Sequence, residues 1–215
     1  MQTAAPACFA NGTTLGADGG GNLLSEFQVI YLTGAPAAGK SSTAHALKER
    51  VQPVEVWEFG DRLRQHLSQT TPMISQEDLR RDSARVITPA DVAAVDRQLV
   101  EWTAKVRGSS HVIIDSHPVT KERYGFRVTP YSLADFARLA PTKIWVLYCS
   151  PEVTLERIGS DAAGRPMISP EEARMHTQMQ ASVAITYGMS LGVPVYFFDS
   201  ARDREDLLAE LVSRF

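Results

Sequence analysis

The chain has 215 residues, of which 44% are hydrophobic and 22% are charged, and this composition excludes an intrinsically disordered protein. Its net charge of −3 excludes the strongly basic class of proteins that bind duplex nucleic acid. The two cysteines are too few for a disulfide scaffold or a zinc cluster, and no apolar run is long enough to span a membrane.

The first 26 residues are rich in Gly, Ala, Thr and Asn, and they lack the basic start and the apolar segment of a secretory signal. We expect residues 1–26 to form a disordered tail and residues 27–215 to form one domain. A cytoplasmic location is the default expectation for such a chain.

Five short runs rich in β-branched and aromatic residues predict buried strands, and longer stretches with helical spacing separate them. Strands that alternate with helices form a parallel sheet covered by helices on both faces. The sequence therefore predicts a three-layer α/β fold with a five-stranded parallel sheet. The predicted strands are Phe27–Gly34, Val54–Phe59, His111–Asp115, Lys143–Ser150 and Val193–Asp199.

Helix starts are predicted at two hydroxyl residues, Thr88 and Ser169, each of which stands immediately before a proline. A hydroxyl side chain caps the first free N–H groups of a helix, and proline is favoured at the first helical position. A further helix is predicted from about Lys40 to Val51, and the last one from about Arg202 to Phe215.

The strongest motif is GAPAAGKS at positions 34–41, which fits the phosphate-loop pattern G-x-x-x-x-G-K-[ST]. A predicted strand leads into the motif and a predicted helix leaves it, so successive N–H groups face an anion at a helix N-terminus. Lys40 would reach the β- and γ-phosphates, and Ser41 would offer its hydroxyl to Mg²⁺. The motif predicts binding of ATP with Mg²⁺, whereas an empty turn would not require this lysine. The predicted nucleotide-binding residues are Gly34, Ala35, Ala37, Ala38, Gly39, Lys40, Ser41 and Ser42.

The predicted third strand ends in Asp115, which is followed by Ser116 and His117. Ligands of parallel α/β sheets bind at the carboxyl ends of the strands, so Asp115 would face the phosphate loop and hold Mg²⁺ together with Ser41. The alternative for Asp115 is an aspartate of a helix cap or a turn. His117 would contact the acceptor, or it is a structural histidine.

Two groups of arginines are candidates for phosphate binding. Arg80, Arg81 and Arg85 lie between the second and third predicted strands, where guanidinium groups would bind a monophosphate in bidentate fashion. Arg157 and Arg165 belong to a segment, 155–166, that would close over ATP and neutralise the transferred phosphoryl group. The alternatives are a solvated helix face for the first group and an ordinary surface loop for the second.

In this order, the motifs resemble those of the archaeal-type adenylate kinases and their eukaryotic nuclear relatives, over nearly the whole chain from Phe27. GAPAAGKSS is similar to the phosphate loop of that family, and EFGD at 58–61 resembles the turn after its second strand. RRDSARVITP resembles its acceptor segment, IIDSH its D-x-H motif, KERYGF the lining of its acceptor site and TYG its late-helix A-Y-G. The chain has Ala181 where archaeal members have arginine, and the segment 127–131 lacks their Gly/Pro-rich run, so the acceptor base is left open.

The resemblance implies a P-loop kinase domain with a helical insertion for the monophosphate at about 60–108 and a short lid at about 157–168. It also implies transfer of the γ-phosphoryl group of ATP to AMP or a related monophosphate, a small-molecule nucleotide acceptor, with Mg²⁺. The catalytic residues would be Lys40, Asp115, Arg157 and Arg165. The acceptor-binding residues would be Gly60, Asp61, Arg81, Arg85, His117 and Phe126.

Two other functions are open on the sequence. A kinase that phosphorylates an alcohol of a sugar, cofactor or antibiotic would need a base near the acceptor hydroxyl, and Asp61 or Asp115 would serve. A regulatory or assembly factor with slow ATPase activity would use the same phosphate loop without an acceptor.

Overall fold

The computed structural model describes residues 27–70, 87–160 and 167–215. Its main element is a parallel sheet of five strands in the order β2-β3-β1-β6-β7, and two further short strands, β4 and β5, form an antiparallel hairpin. The prediction of a five-stranded parallel α/β sheet is confirmed. The strands are β1 Val29–Gly34, β2 Val54–Glu58, β3 His111–Asp115, β4 Val119–Glu122, β5 Gly125–Val128, β6 Lys143–Tyr148 and β7 Val195–Asp199.

Seven helices lie in the described part of the chain. The two predicted helix starts are confirmed, since Thr88 and Ser169 each accept the N–H of the third helical residue and form a capping box with Asp91 and Glu172. The helices are α1 Lys40–Arg50, α2 Phe59–Thr70, α3 Pro89–Val106, α4 Leu133–Leu139, α5 Pro151–Gly159, α6 Pro170–Leu191 and α7 Arg204–Val212. None of these helices is both long enough and apolar enough to cross a lipid bilayer.

The two faces of the sheet pack against different helices because side chains alternate along each strand. On one face, Ile30 and Trp145 pack against Leu47 of α1 and Leu208 of α7. On the other, strand residues such as Tyr31 pack against α2, α3, α4 and α6. The aromatic centre of this second core consists of Tyr31, Tyr131, Phe136 and Tyr187, and each of these rings contacts at least two of the others.

The carboxyl ends of three neighbouring parallel strands, β2, β3 and β1, lie side by side at one end of the sheet. Strand β1 pairs with β3 on one side and with β6 on the other, and Leu32 of β1 lies in register with Asp115 of β3. Asp115 is also in register with Glu58, the last residue of β2. The loop after β1 therefore lies beside Asp115, at the edge where α/β proteins bind their ligands.

Candidate functional site

The phosphate loop, residues 34–41, joins β1 to α1 and contains backbone conformations that few residues adopt. Gly34 has φ +152, and a Cβ built on it would lie 2.2 Å from the carbonyl oxygen of Leu147 in β6. Gly39 caps α1 with φ +82, and Ala37 has φ +64, in the left-handed region. Glycine at positions 34 and 39 thus allows the loop to turn tightly against β6 and start the helix.

Lys40 is the first residue of α1 and is 9% exposed. Its Nζ donates hydrogen bonds to the carbonyl oxygens of Gly34, at 2.8 Å, and Ala35, at 3.1 Å. These two bonds hold the ammonium group against carbonyl groups of the loop. Phosphate oxygens, which carry negative charge, would compete well for this cation.

Ser41 and Asp115 meet across the site, as the sequence predicts. The Ser41 hydroxyl donates to Oδ2 of Asp115 over 2.6 Å, although the two residues are 74 positions apart. Asp115 is only 7% exposed, whereas Ser41, in the first turn of α1, is open to solvent. A carboxylate and a hydroxyl are the hard oxygen ligands that Mg²⁺ prefers, so this pair fits that ion. Among the described residues, no three or more His, Cys, Asp or Glu side chains are grouped so that they could hold a metal ion.

Arg157 lies on helix α5 and contacts the phosphate loop from outside. Its guanidinium donates to the carbonyl oxygen of Ala37 at 3.1 Å, and to the hydroxyl and carbonyl oxygens of Ser200 at 3.1 and 2.6 Å. These bonds join the left-handed turn of the loop to the segment that follows β7. The segment predicted as a lid loop is helical up to Gly159, and Arg165 lies outside the described residues.

The predicted acceptor-binding residues are spread over three elements. Gly60 and Asp61 lie in the first turn of α2, where the Asp61 carboxylate forms an ion pair with Arg64. His117 is exposed just beyond β3. Phe126 lies in β5, and its ring contacts that of His176 edge-on at 5.1 Å. Arg81 and Arg85 lie outside the described residues.

Helix α6 connects the β4–β5 hairpin to β1, a link that the sequence does not reveal. His176 is 1% exposed, and its Nε2 donates to the carbonyl oxygen of Val119 in β4 at 3.0 Å. Gln180 donates to the same oxygen at 3.4 Å and accepts a bond from the Thr33 hydroxyl at 3.5 Å. Burial lowers the pKa of His176 to about 4, so the ring is neutral at physiological pH.

Tyr187, the tyrosine of the TYG segment, is linked through Tyr131 to Ser116, the residue after Asp115. The Tyr187 hydroxyl accepts the backbone N–H of Tyr131 at 2.7 Å, and the Tyr131 hydroxyl lies 3.2 Å from Oγ of Ser116. Burial raises the pKa of both phenols, so neither ionises near neutral pH. Tyr187 therefore acts in packing and holds the backbone at Tyr131, whose own hydroxyl contacts Ser116.

Comparison with known proteins places this site in a family. A family model described as an AAA domain, AAA_17, matches residues 33–174, which is more than half of the chain and includes the phosphate loop, Asp115 and Arg157. The chain belongs to this AAA domain family. Members of this kind are P-loop, kinase-like domains, in agreement with the geometry of the loop.

Two solved structures share the fold of this AAA domain protein. A sugar kinase from Janibacter sp. HTCC2649 is 15% identical, with a TM-score of 0.51 over 87% of this chain and 93% of its own. The tunicamycin resistance protein of Deinococcus radiodurans is 19% identical, with a TM-score of 0.54 over 87% of this chain and 94% of its own. A search of curated proteins gave no match. At these identities the likeness shows the fold, a kinase-like P-loop domain, and the acceptor must be argued from the site.

Proposed function

We propose that this protein is a nucleoside monophosphate kinase, which transfers the γ-phosphoryl group of ATP to AMP or a related monophosphate. One observation supports this most directly. Lys40 and the hydrogen-bonded Ser41–Asp115 pair lie together at the carboxyl edge of the sheet, around the loop whose backbone would bind the phosphates. This arrangement has the cation and the oxygen ligands that phosphoryl transfer requires.

Phosphoryl transfer depends on position and charge more than on covalent chemistry. On ATP binding, Lys40 would exchange the carbonyl oxygens of Gly34 and Ala35 for oxygens of the β- and γ-phosphates. Ser41 and Asp115 would hold Mg²⁺, which neutralises phosphate charge when bound. Arg157 would keep the loop turn at Ala37 in place, and Arg165 would add positive charge from the lid.

A monophosphate acceptor fits the carboxylates of this site better than an alcohol does. An alcohol acceptor needs a general base, whereas a monophosphate already carries nucleophilic anionic oxygens. Of the two candidate bases, Asp115 accepts the Ser41 hydroxyl and Asp61 is paired with Arg64. Both carboxylates therefore already have a partner in the structure, and a monophosphate acceptor would not require either of them as a base.

The second candidate is an alcohol kinase, and the place of Asp61 favours it. This carboxylate is exposed and stands in the first turn of α2, directly after β2, whose last residue pairs with Asp115. An exposed ion pair is weak, so a substrate hydroxyl would displace Arg64 at little cost. The fold shared with a sugar kinase is compatible with this candidate.

A screen of acceptors with MgATP separates the candidates. Nucleoside monophosphates and a panel of sugars and aminoglycosides are incubated with the protein, and products are assigned by ³¹P NMR. A nucleoside diphosphate formed from an added monophosphate supports our proposal. Phosphorylation of an alcohol with no monophosphate turned over would establish the second candidate, and ATP hydrolysis independent of any acceptor would favour a regulatory ATPase.

Lys40→Ala tests the phosphate loop within the same assay. We expect turnover to fall by roughly 10²–10³-fold, as on loss of one preorganised donor to developing charge. Lys48→Ala is the matched control, since Lys48 lies on the same helix but is exposed and pairs with Glu55. Undiminished turnover by Lys40→Ala would remove the phosphate loop from the mechanism.

A further inference from the structure

Two hydrogen bonds tie the β4–β5 hairpin to the strand that leads into the phosphate loop. The carbonyl oxygen of Val119, the first residue of β4, accepts a side-chain N–H of Gln180 at 3.4 Å. The amide oxygen of Gln180 accepts the hydroxyl of Thr33 at 3.5 Å, and Thr33 immediately precedes Gly34. Gly34 supplies one of the two carbonyl oxygens that hold Lys40. The start of the hairpin therefore lies beside the loop that would bind ATP.

Lys121, in the same strand, extends its side chain over an aromatic ring. Residues two apart in a strand share a face, so the side chain of Lys121 lies on the same face of β4 as that of the buried Val119. Its Nζ is 5.6 Å from the centre of the Phe126 ring, and this ring contacts His176 edge-on at 5.1 Å. His176 in turn donates to the carbonyl oxygen of Val119 at 3.0 Å. The ammonium group of Lys121 is thereby held close to the buried imidazole.

The ring of His176 lies near the charges of two lysines from different elements. Burial lowers the pKa of His176 to about 4, and the positive charges of Lys40 and Lys121 act in the same direction. Charges act strongly on one another only at short range, so both ammonium groups lie near this neutral ring. Lys40 belongs to α1 and Lys121 to β4. The fold therefore brings two cations, far apart in sequence, to one region beside the phosphate loop.

The anionic partner of Lys121 is easily displaced. Nζ of Lys121 lies 3.2 Å from Oε1 of Glu172, and the two side chains are 27 and 39% exposed. The other carboxylate oxygen, Oε2, accepts the backbone N–H of Ser169 at 2.8 Å in the capping box of α6. Partly exposed ion pairs contribute little to stability. Release of Lys121 would therefore cost little and would leave the helix cap in place.

We propose that Lys121 is a further substrate-binding residue, which binds the phosphate group of the acceptor while Lys40 binds those of ATP. An oxygen of the acceptor phosphate replaces Oε1 of Glu172 at the Lys121 ammonium group, and no covalent bond changes. A phosphate competes well with one carboxylate because it has more charge and more acceptor oxygens. The two anions that meet in phosphoryl transfer are then each paired with a lysine. That the acceptor is a nucleoside monophosphate rests on the proposed function.

His176 is a positioning residue in this arrangement. It is 1% exposed, so it does not contact the substrate itself. A charged imidazole would repel both ammonium groups, whereas the neutral ring packs against Phe126 and bonds to Val119 without adding charge. The ring thus fixes the hairpin at the place from which Lys121 reaches the acceptor.

Binding of inorganic phosphate to the full chain, saturated with Mg²⁺ and the non-hydrolysable ATP analogue AMP-PNP, tests this role without turnover. The dissociation constant follows from the rise in Tm with phosphate concentration, since a ligand of the native state stabilises it by mass action. Lys121→Met keeps the apolar stem on Phe126 but removes the charge, so this constant should rise by about 10–100-fold. Lys121→Arg keeps the charge and should recover most of the affinity. Lys105→Met, at an exposed position of α3, should change nothing.

Glu172→Gln distinguishes phosphate binding from a structural role of the ion pair. Glutamine also serves in a capping box, so the start of α6 is kept while Lys121 loses its carboxylate partner. The dissociation constant for phosphate should then fall by about 1.5–5-fold, opposite in sign to the effect of Lys121→Met. A structural ion pair predicts weaker binding in both variants, and that result would overturn the proposal. Undetectable binding of phosphate to the wild type, or equal affinities of the wild type and Lys121→Met, would also overturn it.

The acceptor screen separates this inference from the proposed function. With a monophosphate that is phosphorylated, Lys121→Met should raise the KM for the monophosphate by at least about tenfold and leave that for ATP within about twofold. Unchanged KM values, or a rise for ATP alone, would refute the role of Lys121 and keep the proposed function. Phosphate binding that depends on Lys121, in a protein that phosphorylates no monophosphate, would refute the proposed function and keep the phosphate site.

Discussion

Replacing Gly34 by alanine should strongly destabilise the fold at the start of the phosphate loop. A Cβ there would lie 2.2 Å from the carbonyl oxygen of Leu147, where ordinary contact begins at about 3.4 Å. That oxygen cannot retreat freely, since Gly34 and Leu147 are paired in the β1–β6 ladder. Overpacking costs about 1–3 kcal/mol, and a φ of +152 is nearly closed to alanine, which costs a further 1–3 kcal/mol or so. The expected loss is therefore about 2–6 kcal/mol, out of a typical stability of about 5–15 kcal/mol.

Urea unfolding followed by circular dichroism measures this loss as a lower midpoint with an unchanged slope. Gly108→Ala is the control, because a Cβ at Gly108 meets nothing within 4 Å and its φ is not positive. The control should be neutral or more stable by up to about 1 kcal/mol. A loss below about 1 kcal/mol for Gly34→Ala would mean that β1 and β6 are not held as closely as the structure shows.

Two more side chains give measurable outcomes. Arg157→Met should lower the free energy of unfolding in urea by about 2–4 kcal/mol and weaken ATP binding, because the carbonyl oxygens of Ala37 and Ser200 lose a charged donor. The control is Arg138→Met, which removes an exposed ion pair with Asp135 and should change neither quantity. Unchanged stability would show that Arg157 does not hold the loop. Burial lowers the folded-state pKa of His176 from near 6.5 to about 4, so the unfolded chain binds the proton first as the pH falls. Between pH 7 and 5 this residue should therefore lower the free energy of unfolding of the wild type by about 1–2 kcal/mol. His176→Leu should be less stable at pH 7 but should lack this part of the loss at acid pH. Equal slopes of unfolding free energy against pH for the two proteins would contradict the burial argument.

The parts of this fold that follow from local rules were predictable from the sequence. The strand and helix on either side of GAPAAGKS were expected from hydrophobic patterning and are present as β1 and α1. Thr88 and Ser169 cap helices as expected, because capping depends on a few neighbouring residues. The order of five buried runs was enough to indicate a parallel sheet.

The β4–β5 hairpin and helix α4 escaped prediction for reasons of size and exposure. Each strand of the hairpin has four residues, and most positions of β5 are partly exposed, so the alternation is too short to recognise. Helix α4 has seven residues, fewer than two helical turns of pattern. These elements depend on contacts with α6 and α3, which local sequence does not encode.

The contacts that make the candidate site were only partly visible in the sequence. Because Asp115 ends a strand, the sequence predicts that it lies near the loop. It does not predict the hydrogen bond of 2.6 Å that the Ser41 hydroxyl donates to Asp115. The sequence predicts Arg157 in a lid, but it does not predict the bond to Ser200, 43 positions away. A guanidinium group can reach many partners, so its actual contact is decided by tertiary packing. The acceptor roles of Arg81 and Arg85 stay predictions.

The bond from Arg157 to the carbonyl oxygen of Ala37 has a consequence for the energetics of ligand capture. It fixes a left-handed alanine that a free loop would seldom adopt, and it uses groups of the protein alone. Folding therefore already orders this turn, and ATP binding would not have to order it. The entropic cost of binding is smaller as a result. We therefore expect association in a single kinetic phase, with a small change in heat capacity.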